Sequence, residues 1–363
     1  MKIALIHEHL AQDGGAEKVL QAFQEMFPEA PTYTLVYDRS SAHSSFQDKT
    51  IHTSFLQKIP FGVKHYQWML PWMPTAVERY DLTDYDVVLS SCSAFAKGVI
   101  TRPDAKHICY CHSPTRYLWS DTHQYVRELN YPRLVKALIP FWLPKIRLWD
   151  QMAAQRVDSF IANSSMVQQR IEKYYRRPST VIFPPVDINR FQVSDGTDGY
   201  YLAGGRLVPY KRFDLTVMAF NKLGLPLKIF GAGLEEKRLK KMAKPNIEFL
   251  GNVDEAQKAA LYRRAIAFIN PQEEDFGITM VESMASGRPV IAYAKGGALD
   301  SVVEQETGVF FSDQNWAALA DTILRFKPEI FDPQNIRRHA EQFSTENFKK
   351  RINDFIHQSL TKH

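Results

Sequence analysis

The chain has 363 residues, of which 45% are hydrophobic and 23% charged, and its formal net charge is +5. That length exceeds what one hydrophobic core sustains, so two domains are predicted, and the ordinary apolar content excludes a disordered chain. The basic residues are spread along the chain rather than gathered in one stripe, which argues against a nucleic-acid binder; an ordinary solvated surface, an enzyme of anionic diphosphates and one resting on anionic lipid all fit.

The opening run Met1-Lys2-Ile3-Ala4-Leu5-Ile6 is apolar but short, and His7, Glu8 and His9 end it. It reads as a buried first strand over Lys2–Ile6, not as a signal peptide. Asp13-Gly14-Gly15 then makes a tight turn into a helix over Ala16–Phe27, whose apolar stripe carries Val19, Leu20 and Phe23. Further strands are predicted at Thr32–Val36, Val87–Ser90, His107–Cys111 and Ser159–Ile161. Strands interleaved with helices predict a parallel sheet covered on both faces. Two aromatic stretches interrupt the pattern. Residues 55–80 are dense in aromatics and prolines, and Tyr131–Trp149 combines Phe141, Trp142 and Trp149 with Arg133, Lys136, Lys145 and Arg147. They are read as inserted helices packed on the core, or else as an interfacial membrane patch.

The three cysteines, Cys92, Cys109 and Cys111, are too few for a disulfide framework and lack the second ligand pair of a zinc site. Cys109 and Cys111 alternate along one strand and are expected as small buried hydrophobes. No run of about 18 apolar residues follows, so no membrane span is expected. The expected compartment is the reducing cytoplasm, with peripheral association on the inner face of the cell membrane as the variant that the aromatic stretches would support.

A second series begins after Pro184-Pro185-Val186-Asp187 and the polar stretch 192–199. Its strands are predicted at Tyr200–Ala203, Leu227–Phe230, Ile247–Leu250, Ala267–Ile269 and Pro289–Ala292, with helices such as Phe213–Leu223 and Glu255–Arg264 between them. The expected fold class is therefore α/β, with two Rossmann-like doubly wound parallel-sheet domains. The first spans 1–185 and the second 186–342, and a final helix over about 343–363 packs back on the first. Ligands bind beyond the carboxyl ends of such sheets, so a central cleft between the two is expected to hold the site.

Four constellations carry chemistry. In the segment from Asn270 to Ala292, a strand ends, a loop carries Glu274, a helix starts at Gly277, and Glu282 follows in its second turn. The free N–H groups of such a helix start suit a phosphate or a sugar hydroxyl, and a carboxylate at Glu282 suits a vicinal diol such as a ribose. In Gly204-Gly205-Arg206-Leu207-Val208-Pro209-Tyr210-Lys211-Arg212, glycines let the backbone approach a ligand and the cations Arg206 and Lys211 lie five residues apart. Arg forks two phosphate oxygens, and Lys acts as a point charge. Gly14 and Gly15 form a glycine turn between the first strand and helix. His112 follows a strand end in Tyr110-Cys111-His112-Ser113-Pro114-Thr115-Arg116-Tyr117-Leu118-Trp119. No complete G-x-G-x-x-G dinucleotide fingerprint and no G-x4-G-K-[ST] phosphate loop occurs, which counts against a dehydrogenase and an ATPase.

These segments resemble glycosyltransferase family 4. Glu274 and Glu282, separated by seven residues, match that family's paired glutamates, and the Phe276-Gly277 start and Ser286-Gly287-Arg288-Pro289-Val290 exit match their frame. Arg206 and Lys211 match its diphosphate site, Gly14 and Gly15 its first-domain donor loop, and His112 the histidine beside the donor sugar in mannosyltransferase-like members. The His-Ser-Pro-x-Arg-Tyr-x-Trp wording is similar to bacterial O-antigen and capsule enzymes. Asp300, where many members carry glutamate, departs from the pattern. The resemblance implies the GT-B fold and a retaining, metal-independent transferase with no cofactor, its nucleotide-sugar donor being a substrate. GDP-mannose is the first donor implied and a UDP-sugar the second; the acceptor is a glycan or lipid-linked molecule. It further implies that Arg206, Lys211, Glu274 and His112 act at the reacting diphosphate and sugar. Gly14, Gly15, Gly205, Val253, Phe276, Gly277, Ile278 and Glu282 would hold the donor, with Val253 beside the nucleobase. A non-catalytic nucleotide-sugar-binding protein is the rival outside the enzyme class.

Overall fold

A computed structural model describes residues 1–12, 14–60, 62–63, 66–122, 133–194 and 196–361, without the side chains of 67 and 133–138. Asp13, Tyr131 and the side chains of Arg133 and Lys136 therefore lie outside the described residues. The chain divides into two units: Met1–Phe183 with Phe348–His363, and Pro184–Asn347.

The first unit is built on strands β1 (Ile3–His7), β2 (Thr32–Thr34), β3 (Ile51–Thr53), β4 (Val87–Cys92), β5 (Lys106–Cys111), β6 (Ser159–Ala162) and β7 (Ser179–Val181). Every pairing among them is parallel, in the order β3-β2-β1-β4-β5-β6-β7. Successive residues of a strand point to opposite faces, and both faces are apolar. Ala4, Ile6, Val88, Cys109 and Cys111 pack in one core layer, while Leu5, Val87, Leu89, Ile108 and Tyr110 pack in the other. Helix Gly15–Met26 covers the second layer through Val19, Leu20 and Phe23. The final helix, Thr345–Thr361, covers it too: Phe348, Ile352 and Ile356 recur every four residues on one helical face, and Phe348 stacks on Phe23 with ring centroids 5.8 Å apart.

The aromatic stretches divide between core and solvent. Leu56, Met69, Met73 and Val77 are buried in the first layer, whereas Trp68 and Trp72 are exposed. Helix Arg133–Gln155 buries Leu143, Ile146, Ala153 and Ala154, and exposes Phe141, Leu148 and Met152 on the opposite face with Trp142 beside them. Among the described residues no helix is long and apolar enough to cross a membrane.

The second unit carries β8 (Tyr201–Gly204), β9 (Leu227–Phe230), β10 (Ile247–Gly251), β11 (Phe268–Asn270), β12 (Val290–Tyr293) and β13 (Gly308–Phe311), again all parallel, in the order β10-β9-β8-β11-β12-β13. Its helices begin and end where local chemistry dictates. Asp254 and Gln257 form a reciprocal capping box at the start of Glu255–Arg264, and Gly224 closes Phe213–Leu223 in a left-handed conformation. In each sheet the strand order reverses once, between β1 and β4 and between β8 and β11. In open α/β sheets that reversal leaves a crevice at the carboxyl ends of the two central strands.

Candidate functional site

In the second unit the two loops leaving the central strands meet at this reversal. The loop after β8 carries Gly205, Arg206 and Lys211; the loop after β11 carries Gln272 and Glu274. Lys211 Nζ donates to Glu274 Oε1 at 2.7 Å, and Gln272 Nε2 donates to the same oxygen at 2.9 Å. The Lys211 and Glu274 side chains are only 13% and 16% exposed. Burial pushes the Lys211 ammonium down, but Glu274 and the Tyr210 hydroxyl together more than offset it, so its pKa lies above the ordinary lysine value. Gly205 sits at φ +132°, which L side chains rarely adopt, and a Cβ there would lie 3.5 Å from Lys211 Nζ. Arg206 is exposed, and its Nη2 donates to the Tyr210 hydroxyl at 3.3 Å.

Beyond Glu274 the chain turns into helix Ile278–Ala285 through Gly277, its N-cap, at φ +93°. A Cβ at Gly277 would lie 2.2 Å from Met280 Cε, the movable end of a flexible side chain, so it is the positive φ rather than space that calls for glycine. Phe276 is buried and packs on Phe343, with ring centroids 5.6 Å apart, which anchors the loop. Glu282 lies in the second turn and is only 2% exposed. Lys258 Nζ lies 3.0 Å from its Oε1, and the Tyr262 hydroxyl donates to its Oε2 at 3.2 Å. Lys258 is carried by the helix that Val253 precedes by two residues, and Val253 is half-buried after β10.

In the first unit Gly14 is the extended N-cap of helix Gly15–Met26, and His112 directly follows β5. His112 Nε2 lies 2.8 Å from Ser91 Oγ at the end of β4. Burial first, and then the neighbouring His7 ring, push the His112 pKa down to about 4, so its imidazole is neutral at pH 7. Glu8, directly after β1, accepts backbone N–H bonds from Ser93, Ala94, Phe95 and Ala96 at 2.7–3.1 Å. Burial pushes its carboxyl up, yet those N–H groups and the Lys97 ammonium hold it below the ordinary glutamate value. Lys97 is itself buried against Asp150 Oδ1 at 2.5 Å, and Asp150 also accepts from Thr115 and Trp119.

The structure thus brings Lys211 and Glu274 into contact, places Gly205 beside Lys211, and sets Gly277, Ile278 and Glu282 on one helix. The sequence reading missed the supporting residues: Gln272, Lys258 and Tyr262 in the second unit, and His7, Glu8, Glu17 and Ser91 in the first. The one available signal was His7-Glu8-His9, polar residues directly at the carboxyl end of a buried strand. Among the described residues no group of three or more His, Cys, Asp and Glu side chains is placed to hold a metal ion.

Two family models match the chain. That described as Glycosyltransferase Family 4 matches residues 13–190, and that described as Glycosyl transferases group 1 matches residues 187–343. The chain is 25% identical over 328 residues to an alpha-1,3/1,6-mannosyltransferase of Dictyostelium discoideum, a match covering 76% of this chain and 72% of that protein. It is 31% identical over 204 residues to the GDP-Man:Man(3)GlcNAc(2)-PP-Dol alpha-1,2-mannosyltransferase of Xenopus tropicalis. That second match covers 47% of this chain and 42% of the relative's length. Among solved structures, Anabaena HepE in complex with UDP superposes with a TM-score of 0.73 at 17% identity, over 99% of this chain and all of that one, which shows a shared fold.

Proposed function

The chain belongs to glycosyltransferase family 4, and on that premise we propose that it moves mannose from GDP-mannose, with retention of anomeric configuration, to a glycan or lipid-linked acceptor in bacterial surface polysaccharide synthesis. The observation that carries the reading is the Lys211–Glu274 contact at the strand-order reversal of the second unit. Cleaving the glycosidic bond leaves negative charge on the departing diphosphate. Glu274 and Gln272 hold the Lys211 neighbourhood in place before the donor arrives, so the ammonium is preorganised to meet that charge. Fixed charges of this kind lower the barrier because no reorganisation is needed at the moment of reaction. Arg206 adds a forked cation, and the free N–H groups at the start of helix Ile278–Ala285 add donors. These groups supply the positive field that a divalent metal supplies elsewhere.

In this reading Glu274 also accepts donor-sugar hydroxyls, Glu282 accepts the ribose hydroxyls, and Val253 lies beside the base. Gly14 and Gly15 let the first unit's backbone approach the donor. His112 orients the sugar near its anomeric carbon and is not a nucleophile. The departing diphosphate takes the acceptor's proton on the same face, which preserves configuration. Mannose is favoured because both relatives are named as mannosyltransferases, one with a GDP-Man donor and a PP-Dol acceptor. The exposed Trp68, Trp72, Phe141 and Trp142 favour a lipid-linked acceptor met at a membrane surface.

A thermal-shift panel of GDP, UDP, ADP and dTDP in EDTA tests the donor. Ligand at 100 times its dissociation constant stabilises by about 2.7 kcal/mol, and GDP is expected to give the largest shift. A clear preference for UDP would reject mannose in favour of a UDP-sugar. No shift with any nucleotide would reject the donor site itself.

A further inference from the structure

Four polar side chains of the first unit form a file at the carboxyl ends of β1, β4 and β5. Glu17 Oε1 lies 3.7 Å from His7 Nε2, His7 Nδ1 lies 3.2 Å from Ser91 Oγ, and Ser91 Oγ lies 2.8 Å from His112 Nε2. Glu17, His7 and Ser91 are each 2% exposed or less. Burying a carboxylate and an imidazole merely to fill space is costly, because each loses its hydration. Neither Leu89 nor Ile108, apolar neighbours in the same layer, shows that the layer needs polar groups.

The bonding rules of the file fix a direction. A serine hydroxyl has one proton to donate, so Ser91 gives it to one histidine and accepts from the other. A neutral imidazole carries one N–H, and the nitrogen that keeps it is set by its neighbours. Glu17 presents negative charge toward His7 Nε2, which favours the proton there and leaves His7 Nδ1 as a bare acceptor. Burial pushes the Glu17 carboxyl up, but the His7 ring and its own backbone N–H outweigh this and keep it below the ordinary value. Ser91 then donates to His7 Nδ1 and accepts from His112 Nε2–H. We propose that Glu17, His7 and Ser91 form a positioning relay that locks His112 in its Nε2–H tautomer and leaves the Nδ1 lone pair to accept a substrate hydroxyl.

The groups facing His112 are His7 and Glu8 from β1 and its end, Glu17 from helix Gly15–Met26, Ser91 from β4, and the Tyr110 ring at 5.3 Å from β5. Glu8 is held by the backbone of residues 93–96, which leaves Glu17 as the carboxylate next to His7. A doubly protonated His7 would reverse the file: Nδ1–H would donate to Ser91, Ser91 to His112 Nε2, and the His112 proton would move to Nδ1. The tautomer of His112 therefore reports which direction the file runs.

This inference rests on the assignment of His112 to the substrate, but its readout does not need turnover. Long-range proton–nitrogen spectra of the full chain with nitrogen-15 histidine distinguish protonated from bare ring nitrogens, and the His112→Gln variant identifies the His112 signals among the 11 histidines. The wild type is expected to show Nε2 protonated and Nδ1 bare. Glu17→Gln removes the charge that orients the file and is expected to shift His112 toward Nδ1–H. Ser91→Ala is expected to lose the tautomer preference and about 10- to 100-fold in turnover, the scale of a small misplacement of a reacting group. Ser91→Thr, which keeps a hydroxyl, is expected to restore both. An Nδ1–H tautomer in the wild type, or a His112 spectrum unmoved by Ser91→Ala and Glu17→Gln, would overturn the relay. A wild type that transfers no sugar would defeat the transferase reading while the spectra still decided this one.

Discussion

Replacing Lys211 by alanine separates leaving-group stabilisation from donor binding. The ammonium sits 2.7 Å from Glu274 with little solvent around it, and a water that takes its place in the variant carries no positive charge. Its charge should count for more in the transition state than in the ground state, because the diphosphate gains negative charge as the bond breaks. Loss of one preorganised electrostatic donor costs about 100- to 1,000-fold in turnover, or roughly 2.7–4 kcal/mol. The change also strips Glu274 of a charge-assisted bond, which costs about 1–3 kcal/mol of folding stability, so circular dichroism and a melting curve must first show the variant folded at the assay temperature. Glu282→Gln is the contrast. Its carboxylate faces Lys258 and Tyr262 on a part of the site where, in the proposed pose, donor charge hardly changes. It should raise the donor KM and leave kcat nearly intact, the signature of uniform binding. Steady-state kinetics on both variants, with one donor and one acceptor, is the assay. Near-normal kcat in Lys211→Ala, or an equal kcat loss in Glu282→Gln with donor affinity unchanged, would refute these roles.

Other consequences follow from the first unit. Glu8→Gln should destabilise the protein by about 1.5–3 kcal/mol at pH 7, since hydrogen bonds to a charged acceptor are exchanged for neutral ones. The native Glu8 carboxyl titrates below the unfolded value of about 4.3. Its contribution is therefore full above that value and lost as pH falls through the native one, so wild-type and variant denaturation midpoints should converge in acid. His112 and His107 remain neutral down to about 4 and about 3, with burial as the leading cause in each. The unfolded imidazoles take up protons near pH 6.5, so stability should decline below pH 6.5, and His107→Gln should flatten that decline in chemical denaturation. Vesicles containing anionic lipid should co-sediment the protein at low salt. Replacing Trp68, Trp72 and Trp142 with serine should weaken this and leave GDP binding intact; no sedimentation of the wild type would remove the membrane surface from the account.

Elements with a clear apolar pattern or distinct end signals were legible in the sequence. Leu227–Phe230, Phe213–Leu223 and Glu255–Arg264 stand where their patterns and caps place them. The parallel α/β class followed from their alternation. Strands β3, β7 and β13 were not anticipated. The first two have three residues each and form the two edges of their sheet, where one face of alternation is too short to register; β13 is a four-residue edge strand. The aromatic stretches were ambiguous for a physical reason: helix Arg133–Gln155 is apolar on both its buried and exposed faces, so composition alone does not say which side is solvent. In the site, glycines and charges with fixed spacing, such as Gly205, Lys211 and Glu274, stand out along the chain. Tyr262, Ser91 and His7 did not, because their partners lie on neighbouring strands or helices and only folding brings them together; Gln272 lies two residues from its partner Glu274, but an uncharged amide in a loop carries no signal of its own. The Lys258–Glu282 contact joins residues 24 apart, and the Ser91–His112 contact residues 21 apart.

Release of GDP from GDP-mannose in EDTA, with water as the acceptor, tests the central claim most directly. The wild-type chain should release GDP without any divalent metal, faster than it releases UDP from UDP-sugars, and Lys211→Ala should lower that rate at saturating donor by about 100-fold or more. A folded wild type that releases no nucleotide from any sugar donor, or a Lys211→Ala variant that releases it at the wild-type rate, would contradict the account.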